Sequence, residues 1–278
     1  MSQCAATRGE TPVIRLNGYF QSSKDMNTLP IAIQLYTVRD LCAMDFAGTV
    51  RHVADIGYQA VEMAGYGNVK TAGEARKALD DAGLKVAGIH APIEKCEANL
   101  NEVLDDCDVL GTKVVIIPWM PEPRRETASA WRTAAASLSK IAAAANRRGF
   151  ELAYHNHSFE FDRFDGQSGM EILFNTAAPA LKAELDVYWI RHGGGDPVEL
   201  INRFGKRTVA LHLKDMAAGD DRRFAPVGTG LLDFVAICAA AVNAGVLYGA
   251  VEQDDCYGAQ PLEVIRVSFE NLKKLGIA

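Results

Sequence analysis

From Ile31 to the C-terminus, short apolar runs rich in β-branched residues alternate eight times with longer segments whose apolar residues recur at helical spacing. The strand candidates are IAIQLYTV from Ile31, AVEMAG from Ala60, KVAGIHAP from Lys85, KVVIIPW from Lys113, ELAYHNH from Glu151, LKAELDVYW from Leu181, TVALHLKD from Thr208 and YGAVEQD from Tyr248. The helix candidates between them carry their own punctuation. Pro197 and Pro261 stand near helix starts, and Gly57, Gly83, Gly111, Gly149, Gly205, Gly245 and Gly276 near helix ends. A strand followed by a helix is the unit of a parallel sheet covered by helices. The 248 residues from Ile31 to Ala278 give 31 residues to each of eight units, close to the size of one βαβ repeat. An α/β fold of the closed (β/α)8 TIM barrel type follows, as a single domain over 29–278. A doubly wound open sheet competes, but the glycine-rich turn expected after its first strand is missing, since VRDLCAMD follows Thr37. Residues 1–28 read as a poorly ordered N-terminal extension. They hold no apolar stretch of the kind a secretory signal needs, and either Met1 or Met26 is a candidate start.

Composition narrows the function. Lys and Arg number 29 against 35 Asp and Glu, a net charge of −6, which argues against nucleic-acid binding because that affinity comes mainly from surplus cations. No run approaches the ~18 consecutive apolar residues of a membrane span. The six cysteines form no CxxC pair, so neither a structural zinc site nor a disulfide scaffold is expected, and the chain reads as reduced and cytoplasmic.

In a barrel the chemistry gathers where strands end, and residues two apart on a strand point the same way. The strand ends offer Glu62, His90, His155 and His157, Glu184 and Asp186, His212 and Lys214, and Glu252 and Asp254. AELD, ALHLKD and AVEQD come from neighbouring strands, so Asp186, His212 and Glu252 aim at one cavity. With no arginine at those strand ends, such a set is costly to bury unless a cation neutralises it. One divalent metal ion (Mn2+, Zn2+, Fe2+, Co2+ or Mg2+) suits mixed imidazole and carboxylate ligands.

These residues resemble the xylose isomerase-like barrels, a family that includes sugar phosphate isomerases and epimerases, inosose dehydratases and the endonuclease IV type. The resemblance covers nearly all of 29–278 and rests on IAIQLYTVRD, the HNH of LAYHNHSFEF, LDVYW followed by GGGDP, HLKD, and VEQDD. It implies one divalent ion held from strands five to eight, commonly by Glu, Asp, His and Glu. Asp186, His212 and Glu252, 26 and 40 residues apart, match the last three. The fifth strand departs from the pattern, since no carboxylate stands at that level. His155 is the choice for fourth ligand, with His157 as a second ligand candidate, a substrate contact or a proton carrier.

The departure bears on mechanism, because Glu252 is left as the single glutamate at the metal. The resemblance implies proton abstraction next to a metal-polarised carbonyl, in a sugar (or sugar phosphate) isomerase or epimerase. An isomerase then needs a second proton carrier, for which Glu62, His157 and Lys214 are candidates. A dehydratase or β-eliminating lyase on a keto sugar or inosose needs only one base and one acid. Lys214 reads equally as a salt-bridge partner of Asp186 or Asp215, and Glu62 as a structural hydrogen-bonding group. Glu160 lies in a loop. His90, Tyr36 and Trp119 are candidate substrate contacts, each with packing as the plainer account. PVGTG, ending at Gly230, offers backbone N–H groups to a phosphate. A DNA-repair endonuclease would require more ligands and a basic surface, and the resemblance also implies a possible homodimer through the outer helices.

Overall fold

β-Branched runs punctuated by glycine pair most readily with their sequence neighbours when a helix carries the chain back, and this decides the architecture. The computed structural model describes residues 28–278, so the extension assigned to 1–28 lies, but for its last residue, outside the described residues. The strands are β1 (Ile31–Gln34), β2 (Ala60–Met63), β3 (Lys85–His90), β4 (Val114–Ile117), β5 (Glu151–His155), β6 (Leu181–Asp186), β7 (Thr208–Leu213) and β8 (Tyr248–Val251). All eight pair in parallel in chain order and β8 closes on β1, giving a closed barrel. The covering helices are α1 (Arg39–Ile56), α2 (Ala72–Asp81), α3 (Ile93–Leu110), α4 (Ala128–Arg147), α5 (Gly169–Thr176), α6 (Val187–His192), α7 (Pro197–Phe204), α8 (Phe234–Ala244) and α9 (Pro261–Lys274). Side-chain caps explain several starts: Thr71 accepts from the Glu74 N–H, Thr127 from Ala130, and Ser168 with Glu171 forms a reciprocal capping box.

All eight strands end before their candidate runs do, and three of these ends bear on the site. After Gln34 the chain turns into a 3-10 helix over Leu35–Val38, because the Gln34 side chain accepts the Tyr36 N–H. LKAELDVYW stops at Asp186, whose carboxylate caps α6 by accepting from Trp189 N. β5 ends at His155, leaving His157 outside the strand.

Two apolar layers result. Leu, Ile, Val and Phe side chains fill the space between strands and helices. Inside the barrel, where bulky branched residues usually pack, stand Ala32, Ala60, Ala153, Ala210 and Ala250 with Val114, Ile116 and Tyr248. Small side chains there leave room for polar groups above them. Gly88 shows how tight the fit is: a Cβ on it would lie 2.5 Å from Tyr248 Oη and 2.8 Å from Ile116 Cδ1. Gly88→Ala is therefore expected to cost about 1–3 kcal/mol by overpacking, read as a lowered urea midpoint at unchanged slope. A midpoint equal to wild type would mean that Tyr248 moves aside freely.

Candidate metal centre

Register sets the depth of each polar side chain. Gln34 pairs with Glu62, His155 with Glu184, and Asp186 with His212. Glu184 and Asp186 are two apart on β6 and share the inward face, as do Tyr248, Ala250 and Glu252 along β8 and just beyond it. The convergence expected of Asp186, His212 and Glu252 is present: one ligand-capable atom from each lies within 4.8 Å of the others, and all three are buried.

The groups occupy two levels. In the inner one, Glu62 Oε1 accepts from Gln34 Nε2 at 2.7 Å and faces His212 Nε2 at 2.7 Å and His90 Nε2 at 2.9 Å. Its Oε2 accepts from Tyr248 Oη at 2.5 Å. Glu184 Oε2 faces three imidazole nitrogens, His90 Nε2, His155 Nδ1 and His212 Nε2, each at 3.1 Å. In the outer level His155 Nε2 stands 3.6 Å from Asp186 Oδ2, and His212 Nδ1 2.7 Å from Glu252 Oε2. Lys214 Nζ reaches Asp186 Oδ2 at 3.1 Å, Glu252 Oε2 at 2.7 Å and Asp254 Oδ1 at 2.6 Å.

The electrostatics follow from that crowding. Burial disfavours the charge on Glu62, yet His212 and His90 hold its carboxyl well below the usual carboxylate range. Glu252 is likewise buried and held low by Lys214 and His212. Burial, reinforced by Glu62, pushes Glu184 up to about 7. Burial opposes the charge of Lys214, but Asp186, Glu252 and Asp254 hold its ammonium well above the ordinary lysine range. Burial and the cations around it push His157 down to about 3, so its ring is neutral.

The donor set fits a divalent cation. A carboxylate only accepts, so His212 Nε2, which faces the ionised Glu62, carries the hydrogen, and so does His155 Nδ1 whenever Glu184 is ionised. The opposite nitrogens, His155 Nε2 and His212 Nδ1, then turn lone pairs toward Asp186 and Glu252, an arrangement that needs a proton or a metal between them. Asp186 Oδ2 at the same spot makes no hydrogen bond and is met by the Lys214 ammonium at 3.1 Å, so the position already draws a cation.

Several sequence expectations change. The strand ends are not without compensating charge, because Lys214 supplies it. Its partners are Asp186, Glu252 and Asp254 and not Asp215, whose carboxylate instead accepts the backbone N–H groups of Met216, Gly228, Gly230 and Leu232. Those bonds take the Gly228 and Gly230 N–H groups of PVGTG, while its Val227 N–H donates to Ser268 Oγ and its Thr229 N–H to Pro226 O, so none is left for a phosphate. Glu62 is wholly buried with both oxygens engaged, so it supports histidines and has no free face for substrate. His90 directs Nε2 at the two glutamates and is only 13% exposed. Tyr36 and Trp119 stand open at 43% and 46%. Trp119 meets Phe159 edge-on, Phe159 stacks on His157, and Trp189 joins His157 to Phe224, giving a continuous aromatic wall beside Lys214. A cavity of about 380 Å3 opens on the flank between α5 and α7, but no strand-end ligand lines it.

Glu184 and Glu160 were named from the sequence, as a strand-end group and a loop residue, but without the roles the structure gives them. The i, i+2 spacing in AELD was the signal for Glu184. Glu160 gave none: it is fully buried, accepting from Tyr154 Oη at 2.6 Å and from His157 N at 2.7 Å, and so pins the loop that carries His157. Burial pushes its carboxyl up to about 8, against ~4.3 in an unfolded chain. Between those values the native state binds the proton more tightly, so this group makes stability fall as pH rises. Glu160→Gln keeps an acceptor for His157 without the charge. Its melting temperature relative to wild type is expected to rise from about pH 5 to about pH 9, and a flat difference in thermal melts would contradict the charge penalty.

Comparison with known proteins agrees with the geometry. The sequence matches, over residues 50–274, the family model described as xylose isomerase-like TIM barrel. A sugar phosphate isomerase/epimerase from Parabacteroides distasonis ATCC 8503 superposes with a TM-score of 0.77 at 23% identity, covering 91% of this chain and 96% of that one. The structure of L-ribulose 3-epimerase gives 0.67 at 19%, covering 89% and 94%. The probable 3-DHS dehydratase AsbF involved in petrobactin synthesis from Bacillus anthracis gives 0.68 at 14%, covering 88% and 99%. At these identities the likeness is one of fold. Against curated proteins the sequence finds no match.

Proposed function

Because the chain belongs to the xylose isomerase-like TIM barrel family, we propose that it is a divalent-metal-dependent isomerase or epimerase of a sugar or keto sugar. What supports the reading is the convergence of Asp186, His212 and Glu252 on one end of the barrel, with His155 Nε2 3.6 Å from Asp186 Oδ2. His155, Asp186, His212 and Glu252 would hold a divalent ion, which would supply Lewis acidity toward a carbonyl and a neighbouring hydroxyl. Glu252, kept ionised by Lys214 and His212, takes the proton from the carbon beside that carbonyl. Its depressed pKa makes it a weak base, so the reaction leans on stabilising the charge that develops on oxygen. The Lys214 ammonium is placed to do this. His157 is the second proton carrier: its ring is neutral, and Nδ1 is buried without a partner. Glu252 and His157 follow β8 and β5, so they reach the substrate from separate arcs of the barrel. The aromatic wall of Trp119, Phe159 and Trp189 receives the apolar face of a sugar ring.

A dehydratase or β-eliminating lyase is the second reading, favoured by the histidine that replaces a carboxylate on β5. Incubation with Mn2+ in heavy water, across ketoses, 3-keto sugars and inososes, separates the two. Deuterium uptake at carbon without loss of water supports isomerisation, and loss of water supports elimination. If no member of the panel shows either change with Mn2+, the proposal falls.

A further inference from the structure

We infer that Glu62 and Glu184, bridged by His90, are positioning residues that select which nitrogen of His155 and His212 faces the metal, and so set metal affinity. The inference rests on the metal-centre reading above and concerns residues outside the ligand set. Three observations carry it. Both carboxylates are fully buried and stand on the inner nitrogens of the two histidines, Glu184 on His155 Nδ1 at 3.1 Å and Glu62 on His212 Nε2 at 2.7 Å. His90 Nε2 lies 2.9 Å from Glu62 and 3.1 Å from Glu184, tying them into one layer. Gln34 and Tyr248 occupy further acceptor positions of Glu62, so its carboxylate cannot rotate without losing them.

Because a carboxylate cannot donate, it holds each imidazole in one tautomer and fixes the ring plane. Without the glutamates, each ring has two tautomers and a free χ2, and only part of that population presents lone pairs outward. The same atoms have a rival reading. One ligand-capable atom each of His90, His155, Glu184 and His212 lies within 4.8 Å of the others, and these would form an inner metal site. A second ion there would force His155 and His212 to serve two cations through both ring nitrogens, which requires both to lose their last N–H. The geometry points instead to one ion above a hydrogen-bonded floor.

The test is titration of the metal-free full-length protein with Mn2+ by calorimetry, and with Co2+ by visible absorption, in wild type, Glu184→Gln and Glu62→Gln. One equivalent in wild type, an affinity about 10- to 100-fold weaker in each variant and an altered Co2+ spectrum support the inference. Two equivalents in wild type, with one lost in Glu184→Gln, overturn it in favour of an inner site. An unchanged Kd and spectrum, with only a lower melting temperature, also overturn it, since a merely structural role moves nothing else. Should Glu184→Gln not fold, Glu62→Gln reads the same point through His212 alone. Wild type that binds no metal overturns the metal-centre reading itself, and the inference with it.

Discussion

Glu252→Gln is expected to lower turnover by about 10³-fold, the scale of losing a positioned general base, with the barrel still folded. The side chains have nearly the same shape, so packing around this buried position changes little. What is lost is chemical. The carboxylate accepts from Lys214 Nζ and faces His212 Nδ1, both at 2.7 Å. Both groups meet the same oxygen, Oε2, to which an amide carbonyl can be turned, but an amide offers no negative charge to a cation and takes no proton from carbon. Metal affinity and proton transfer therefore fall together. Asp254→Asn is the comparison, because Asp254 also contacts Lys214 but is partly exposed and no part of the ligand set. Its effect is expected to stay within about tenfold, since Asp186 and Glu252 still hold the Lys214 ammonium when Asp254 is neutral. Deuterium exchange at the substrate carbon measures both variants. Exchange in Glu252→Gln within tenfold of wild type would move the base elsewhere.

The largest effect on stability is expected far from the mouth, at Trp131. This side chain heads the fully buried residues by volume and sits one turn into α4. The rest of the buried face of α4 is mostly alanine (Ala128, Ala134, Ala135, Ala142, Ala145), so no neighbour on the helix is large enough to fill the space it leaves. Its indole covers Gly169 at the start of α5, so closely that a Cβ there would lie 2.7 Å from the ring. Truncation to alanine opens a cavity between α4 and α5 and should cost about 3–5 kcal/mol, a melting-temperature loss of roughly 10 °C for a chain of this size. The indole N–H has no hydrogen-bond partner, so the loss is one of packing. Urea unfolding measures it, and Mn2+ affinity should not change. A loss below about 1 kcal/mol would mean that the helices close over the gap, as collapsible sites do.

How much was legible varies by residue, for physical reasons. Helix starts were readable where a short polar side chain caps its own backbone. Asp45 breaks α1 and accepts the Gly48 N–H, and Asn99 breaks α3 and accepts the Glu102 N–H. Strand ends were less readable, since VYW after Asp186 is as apolar as the strand before it and the Asp186 cap alone turns it into a helix. Among site residues, Asp186, His212 and Glu252 were legible because each follows a buried run on adjacent strands. Glu184 was visible as a residue but not as a partner of three histidines. Glu160 and Asp215 gave no sign of burial.

The sequence by itself determined the eightfold alternation, the parallel barrel it implies, and which three strand ends bring acid and imidazole together, because period, punctuation and spacing are local properties of the chain. The tertiary structure alone decided depth and direction. Whether a glutamate meets solvent, a metal or the back of a histidine depends on the stagger of strands around the closed barrel, and no single strand encodes that stagger. So Glu62 lies buried with both oxygens engaged, the carboxylate of Asp215 takes N–H groups a phosphate would have used, and Lys214 stands among three carboxylates.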